Sequence, residues 1–365
     1  MIDFRYHLVS LMSVFLALAV GIALGAGPLK EAIGDTLTGQ VDQLRAEKEE
    51  LRAELSGRAT ELAAQEAAFS AVAPSLLEGV LGGRRVAIIQ VSEVADEVHD
   101  QIVARLGDAG ATVTATVQVT DDWNDPGKLT FRETLGSTLV EYLDPVPPQD
   151  AGTGTDLAEA LVQSLTSASP TDPDLVAETS GVILQLLTDG GLVTIDGAVA
   201  APADAVVVLA GATVEAEAPG AGAPSASGTP ADDTAERELR EATIGAALQI
   251  CLAAQARSTG AVVVGGELTE DSLIARVRGD DEAVDHLSTV ESVHTLTGQV
   301  SVPLALSARI AGTVGQYGPS DGAEAVMPPR VVLPPVDRTP ESVEPPLGPE
   351  TGEAAPTEPT VAPTP

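Results

Sequence analysis

Gly265 and Gly266 follow the apolar run Ala261–Val264, and Glu267, Thr269, Glu270 and Asp271 come directly after them. If that run is a parallel strand, the turn lies at its carboxyl end, where α/β sheets place ligands. A glycine turn opening into a helix can cradle a phosphate on free backbone N–H groups. Here the neighbouring carboxylates would repel one, so the pair reads as a turn and a helix start. Gly82-Gly83 stands before the first apolar run rather than after it, and Ser92-Glu93-Val94 behind that run contains no glycine. No dinucleotide or phosphate loop is therefore present. The four histidines are His7, His99, His286 and His294, and none stands four residues from another histidine or from the cysteine. His286 and His294, with Asp285 and Glu291 beside them, are the nearest approach to a metal-ligand group. One cysteine and three methionines are few soft ligands for a thiophilic metal. Cys251 lies between Ile250 and Leu252 in an apolar helical pattern and reads as a buried thiol; alone, it forms no intrachain disulfide. A Ser-His-Asp triad assembles only in three dimensions and cannot be read from spacing. These residues point to no catalytic set and no resident cofactor, and the chain is expected not to be an enzyme.

The elements around these residues read as α/β. Val86–Val91 (VAIIQV) is a short apolar run rich in β-branched residues, the pattern of a strand buried on both faces. Asp96–Ala109 carries Val98, Ile102, Val103 and Leu106 at helical spacing and stops at Gly110. Thr112–Thr120 alternates in period two through Val113, Val117 and Val119. Strand, helix and strand at this spacing form a βαβ unit and imply a parallel sheet. Ala205–Ala210 (AVVVLA) and Ala261–Val264 fit the same sheet, with helical patterns at 155–167, 174–188 and 235–257 to cover it. The expectation is a Rossmann-like three-layer domain over residues 82–318, with right-handed crossovers. The stretch 212–231 is rich in Ala, Gly, Pro and Ser and reads as a flexible inserted loop. The acidic, proline-rich tail, residues 319–365, reads as disordered.

Residues 8–29 contain no charged side chain, and ~20 helical residues span the ~30 Å hydrocarbon core of a bilayer. Ala23-Leu24-Gly25 could serve as a signal-peptide cut site. The run is longer than a signal core, however, and Pro28 lies close behind, so an uncleaved single-pass anchor is the favoured reading. Residues 1–7, with Arg5, His7 and the terminal amine, favour a cytoplasmic N-terminus and an extracytoplasmic bulk. Ser13, Ala17, Gly21 and Gly25 recur every fourth residue on one helix face, and Gly21 with Gly25 forms a GxxxG that lets two membrane helices approach. Gly27-Pro28 and Gly34 punctuate the exit. A heptad pattern follows over 36–72: Leu37, Val41, Leu44, Leu51, Leu55, Leu62 and Phe69 alternate by threes and fours, with Lys48, Arg58 and Gln65 in the gaps. This predicts a short coiled coil, and with the anchor stripe a homodimer. An amphipathic helix packed on its own domain is the alternative. A helix over 36–70 would extend ~50 Å.

The chain has 365 residues and a formal net charge of −35. So acidic a surface repels nucleic acid and anionic headgroups, and nucleic acid is excluded as a partner. Aromatics are 2% of the chain, too few for the girdles of a transmembrane β-barrel.

The N-terminal string MIDFRYHLVSLMSVFLALAVGIALGAGPL and the block STVESVHTLTGQVSVPLALSARIAGTVGQYG at 288–318 resemble the MctB-type copper transport family of actinobacterial envelope proteins. The resemblance covers most of residues 1–318 and leaves out the tail and the 212–231 loop. It implies a membrane-bound envelope protein of copper homeostasis or export, with copper as a transported ion, in a family proposed to form outer-membrane channels. Some relatives are instead linked to a septal partner that regulates cell-wall hydrolases. The alternative expectation is thus a dimeric envelope scaffold or regulator with no copper chemistry of its own.

Overall fold

The computed structural model describes residues 4–26, 28–148, 150–211, 230–336 and 338. The chain divides into two units, Met1–Val72 and Ala73–Pro365. In the first, helix α1 spans Phe4–Ala26 and helix α2 spans Pro28–Leu77, its last turn falling in the second unit. Among the described residues one stretch, Phe4–Ala23, is long and apolar enough to cross a membrane, and none of it is buried. The helix thus starts four residues before the uncharged run and takes in Arg5 and His7. Proline fits the first helical position of α2, because its missing N–H would have no partner there. Gly34, read from sequence as a break, lies inside α2, as does Gly57. A single glycine costs a helix only ~1 kcal/mol against alanine, which a long helix absorbs.

The second unit is a mixed α/β domain. In chain order it contains β1 (Arg85–Gln90), α3 (Asp96–Asp108), β2 (Thr112–Val119), α4 (Leu129–Leu139), α5 (Thr153–Thr166), β3 (Ala168–Ser169), β4 (Asp172–Val176), α6 (Glu178–Asp189) and β5 (Val193–Asp196). There follow β6 (Ala205–Ala210), α7 (Pro230–Ala256), β7 (Ala261–Gly265), α8 (Leu273–Arg278), α9 (Asp281–His286), β8 (Ser288–Val290), α10 (Leu296–Ile310) and β9 (Gln316–Tyr317). Among the described residues, seven strands form one sheet in the order β5-β2-β1-β6-β7-β8-β9. Every neighbouring pair is parallel except β2–β5, where Val117 faces Ile195. Ile88 pairs with Thr116 on one side and Val207 on the other, and Val208 pairs with Val263.

Strand side chains alternate between faces, and here both faces are covered. Ala87, Ile89, Val206, Val208 and Val263 join the core shared with α5 and α7. Val86, Ile88, Val207, Val262 and Val264, also wholly buried, point to the opposite face, where α3 and α10 pack. Each such side chain contributes ~1.5–3 kcal/mol of burial, which is why the central strands read as unbroken apolar runs.

The structure corrects several boundaries. The helical pattern at 174–188 begins as strand: β4 pairs with β3 in a small hairpin, and α6 starts only at Glu178. Pro173 favours extended backbone, and Arg85 fixes the hairpin by donating to the Pro173 carbonyl (3.2 Å) and to Asp174 (2.5 Å). The sheet gains the antiparallel edge strand β5, and α7 begins at Pro230 rather than 235. The domain also extends past 318. Arg330 donates to the carbonyls of Leu76 (3.0 Å) and Glu78 (2.9 Å), Arg84 donates to the Pro334 carbonyl (3.1 Å), and Arg338 bonds Asp204 (2.5 Å). Residues 212–229, which hold nearly all of the expected flexible loop, and 339–365 of the tail lie outside the described residues.

Candidate functional site

The chain leaves β1 toward β2 on one side and later returns through β6 on the other, so strand order reverses between β1 and β6. A cleft of about 660 Å³ opens at the carboxyl ends of β1, β6 and β7, the position where such sheets take ligands. Val91, Ala210, Gly265 and Gly266 form its floor, α7 supplies Thr243 and Ile244, and Glu267, Asp271, Ser272 and His294 stand around it. The glycine turn singled out in the sequence is therefore the cleft floor. Its carbonyls are occupied: Gly265 accepts from Val293 N (3.1 Å) and Gly266 from Ser292 N (2.7 Å).

These two bonds hold Ser292 at φ 57°, the only non-glycine positive φ among the described residues. The next turn fixes it further: Thr295 Oγ1 donates to the Ser292 carbonyl (2.8 Å) and accepts from Gly298 N (3.2 Å), capping α10. A Cβ at Gly298 would overlap that carbonyl. His294 projects from this turn, exposed, onto the cleft rim.

The cleft suits no phosphate. Glu267 and Asp271 are exposed carboxylates, and Arg240 is bound to Asp271 (3.0 Å). Ser272 caps α8 by accepting from Ala275 N (3.2 Å). What remains toward the cleft is hydroxyl, carboxylate and imidazole chemistry over an apolar floor.

The suspected metal group does not assemble. His286 ends α9, with its carbonyl accepting from Arg309 (3.2 Å), and is not part of the cleft. Glu291 is 1% exposed and engaged elsewhere. Arg278 donates to its carboxylate (3.2 Å), Ser320 N donates to it (2.6 Å), and the Ser320 hydroxyl donates to it (2.7 Å). Arg278 also donates to Thr289 Oγ1 (3.1 Å) and to the Tyr317 carbonyl (3.1 Å). Burial lowers the Arg278 pKa from its ordinary value, opposed by the Glu291 charge. A Cβ at Gly318 (φ 147°) would overlap the Glu291 side chain. This network ties β8, β9 and the following turn together; sequence reasoning missed it because Arg278 belongs to another element. His99 lies beside Asp100 (3.3 Å) and Thr116 (3.4 Å), and His7 is exposed on α1. No group of three or more His, Cys, Asp or Glu placed to hold a metal occurs among the described residues. Cys251 is wholly buried, and burial pushes its thiol pKa far up.

Of the residues expected to mediate pairing, Ser13, Ala17, Gly21 and Gly25 lie on α1, with Ser13 Oγ bonded to its own helix at the Ser10 carbonyl (2.9 Å). Val41, Leu44, Leu51, Leu55 and Leu62 lie on α2, all exposed.

The class these features define is an α/β protein whose chain starts with a helix of membrane-spanning length and whose cleft lacks a phosphate cradle. More particularly, the chain belongs to the MctB family, described as "Copper transport outer membrane protein, MctB", whose model matches residues 1–328. It is similar to the protein named Copper transporter MctB of Mycobacterium tuberculosis, 26% identical over 333 residues, covering 89% of this chain and 99% of the relative. The Mycobacterium bovis protein of the same name matches to the same extent. That of Mycobacterium leprae is 25% identical over 343 residues, covering 90% of this chain and 100% of the relative.

Proposed function

We propose that this protein serves copper homeostasis in the cell envelope, acting in copper export, with copper as its cargo and not as a resident cofactor. The observation that carries the proposal is the extent of the family match, which runs from α1 through α2 and the α/β domain to residue 328. In this reading α1 is an uncleaved single-pass anchor with a cytoplasmic N-terminus, and the domain is Rossmann-like, three-layered and extracytoplasmic. Two chains pair through the small-residue face of α1 and the heptads of α2.

The exposed apolar row Val41, Leu44, Leu51, Leu55 and Leu62 on α2 favours a second reading: a dimeric scaffold that presents the α/β domain to an envelope or septal partner, such as a regulator of cell-wall hydrolases. Cell copper in a deletion strain separates the two. The first reading predicts that loss of the protein raises cell-associated copper at a fixed external concentration, and that complementation reverses it. Unchanged copper with a defect in cell separation would favour the scaffold.

A further inference from the structure

We infer that the seam along α2 is a docking surface for a second copy of this chain, parallel and in register, closed between Val41 and Leu55 and opened by charge from Arg58 onward. The inference rests on the pairing reading above and specifies it. Val41, Leu44, Leu51, Leu55 and Leu62 are large apolar side chains on α2, and all are exposed. With Lys48, Arg58 and Gln65 they alternate by threes and fours from residue 41 to 65 without a slip, which places them at the a and d positions of a coiled coil. Two chains inserted alike through α1 leave the membrane in the same direction, so the pairing is parallel.

A parallel pair brings the residue before each a position against the residue five places on in the other copy. Glu47 then faces Arg52 of the second copy, twice by symmetry. Lys48, at an a position, packs beside the second copy's Glu47. Gln40 faces Arg45, which is neutral to mildly favourable. Beyond Leu55 the complementarity ends. Glu54 faces Ala59, and Glu61 faces Glu66 with like charge. Arg58 occupies a seam position but is held on its own helix by Glu54 (2.7 Å). An antiparallel arrangement would lose the Glu47–Arg52 match and conflict with the common anchor.

The chain's single native cysteine is buried, so introduced cysteines report cleanly. Leu44→Cys, Leu51→Cys, Ala53→Cys and Gln65→Cys are made one at a time in the full chain and oxidised with diamide in membranes. Disulfide-linked dimer is expected at Leu44 and Leu51, and several-fold less at Ala53, on the outer face, and at Gln65, past the charged break. In the Leu51→Cys chain, Glu47→Arg is expected to lower cross-linking several-fold, and adding Arg52→Glu to restore part of it. Ala53 linking as well as Leu51, or no recovery on adding Arg52→Glu, would overturn the register. A chain dimeric by cross-linking of its lysines yet unlinked at Leu51 would overturn the seam and leave the pairing reading standing. A chain monomeric by both tests would overturn both.

Discussion

Glu291→Ala is the most informative single change in the domain. Its carboxylate accepts from Arg278, from Ser320 N and from the Ser320 hydroxyl, and it is 1% exposed. Removing it leaves a desolvated guanidinium with only neutral partners at Thr289, Ser320 and Tyr317. Breaking a buried pair from one side costs ~3–5 kcal/mol, because the remaining charge has no counter-ion. For a domain of this size the urea slope is ~3 kcal/mol per M, so the midpoint should fall by roughly 1–1.7 M. Trp123 is the only tryptophan and is 3% exposed in the core, so its fluorescence reports unfolding of this domain alone. Gly318→Ala should act through the same contact, since its Cβ would overlap Glu291. The two changes together should therefore cost less than their sum. A midpoint shift below ~0.3 M for Glu291→Ala, about 1 kcal/mol at that slope, would refute the buried-pair reasoning.

Cys251 should stay unlabelled by maleimide in the folded chain at pH 8 and label fully in urea, because burial both shields the thiol and disfavours the thiolate. Arg330→Ala should remove two bonds to the carbonyls at the end of α2. At about 1 kcal/mol this should speed hydrogen exchange at residues 77–81 roughly fivefold, with little effect elsewhere.

The central strands were legible because burial on both faces writes itself as continuous β-branched runs, as in Val86–Val91 and Ala205–Ala210. The carboxyl-edge cleft was foreshadowed by Gly265-Gly266, although only the sheet order shows that β1 and β6 flank the reversal. Short strands were not legible. β5 has four residues and β9 two, too few for alternation to register. The apparent ligand group at 285–294 failed for a different reason. Glu291 looks like any acidic residue in the sequence, and only the fold brings Arg278 to it. The block at 288–318 that carries the family resemblance proves to be one of backbone constraint: Ser292 at positive φ, Gly298 and Gly318 where no Cβ fits, and Glu291 buried.

Total cell copper at matched external copper reads out a copper role exercised from the membrane. The deletion strain is compared with strains complemented by the full chain and by a chain lacking α1. Copper is expected to rise on deletion, return to the parental level with the full chain, and stay high with the chain lacking α1. Equal copper in the deletion and fully complemented strains would contradict that role.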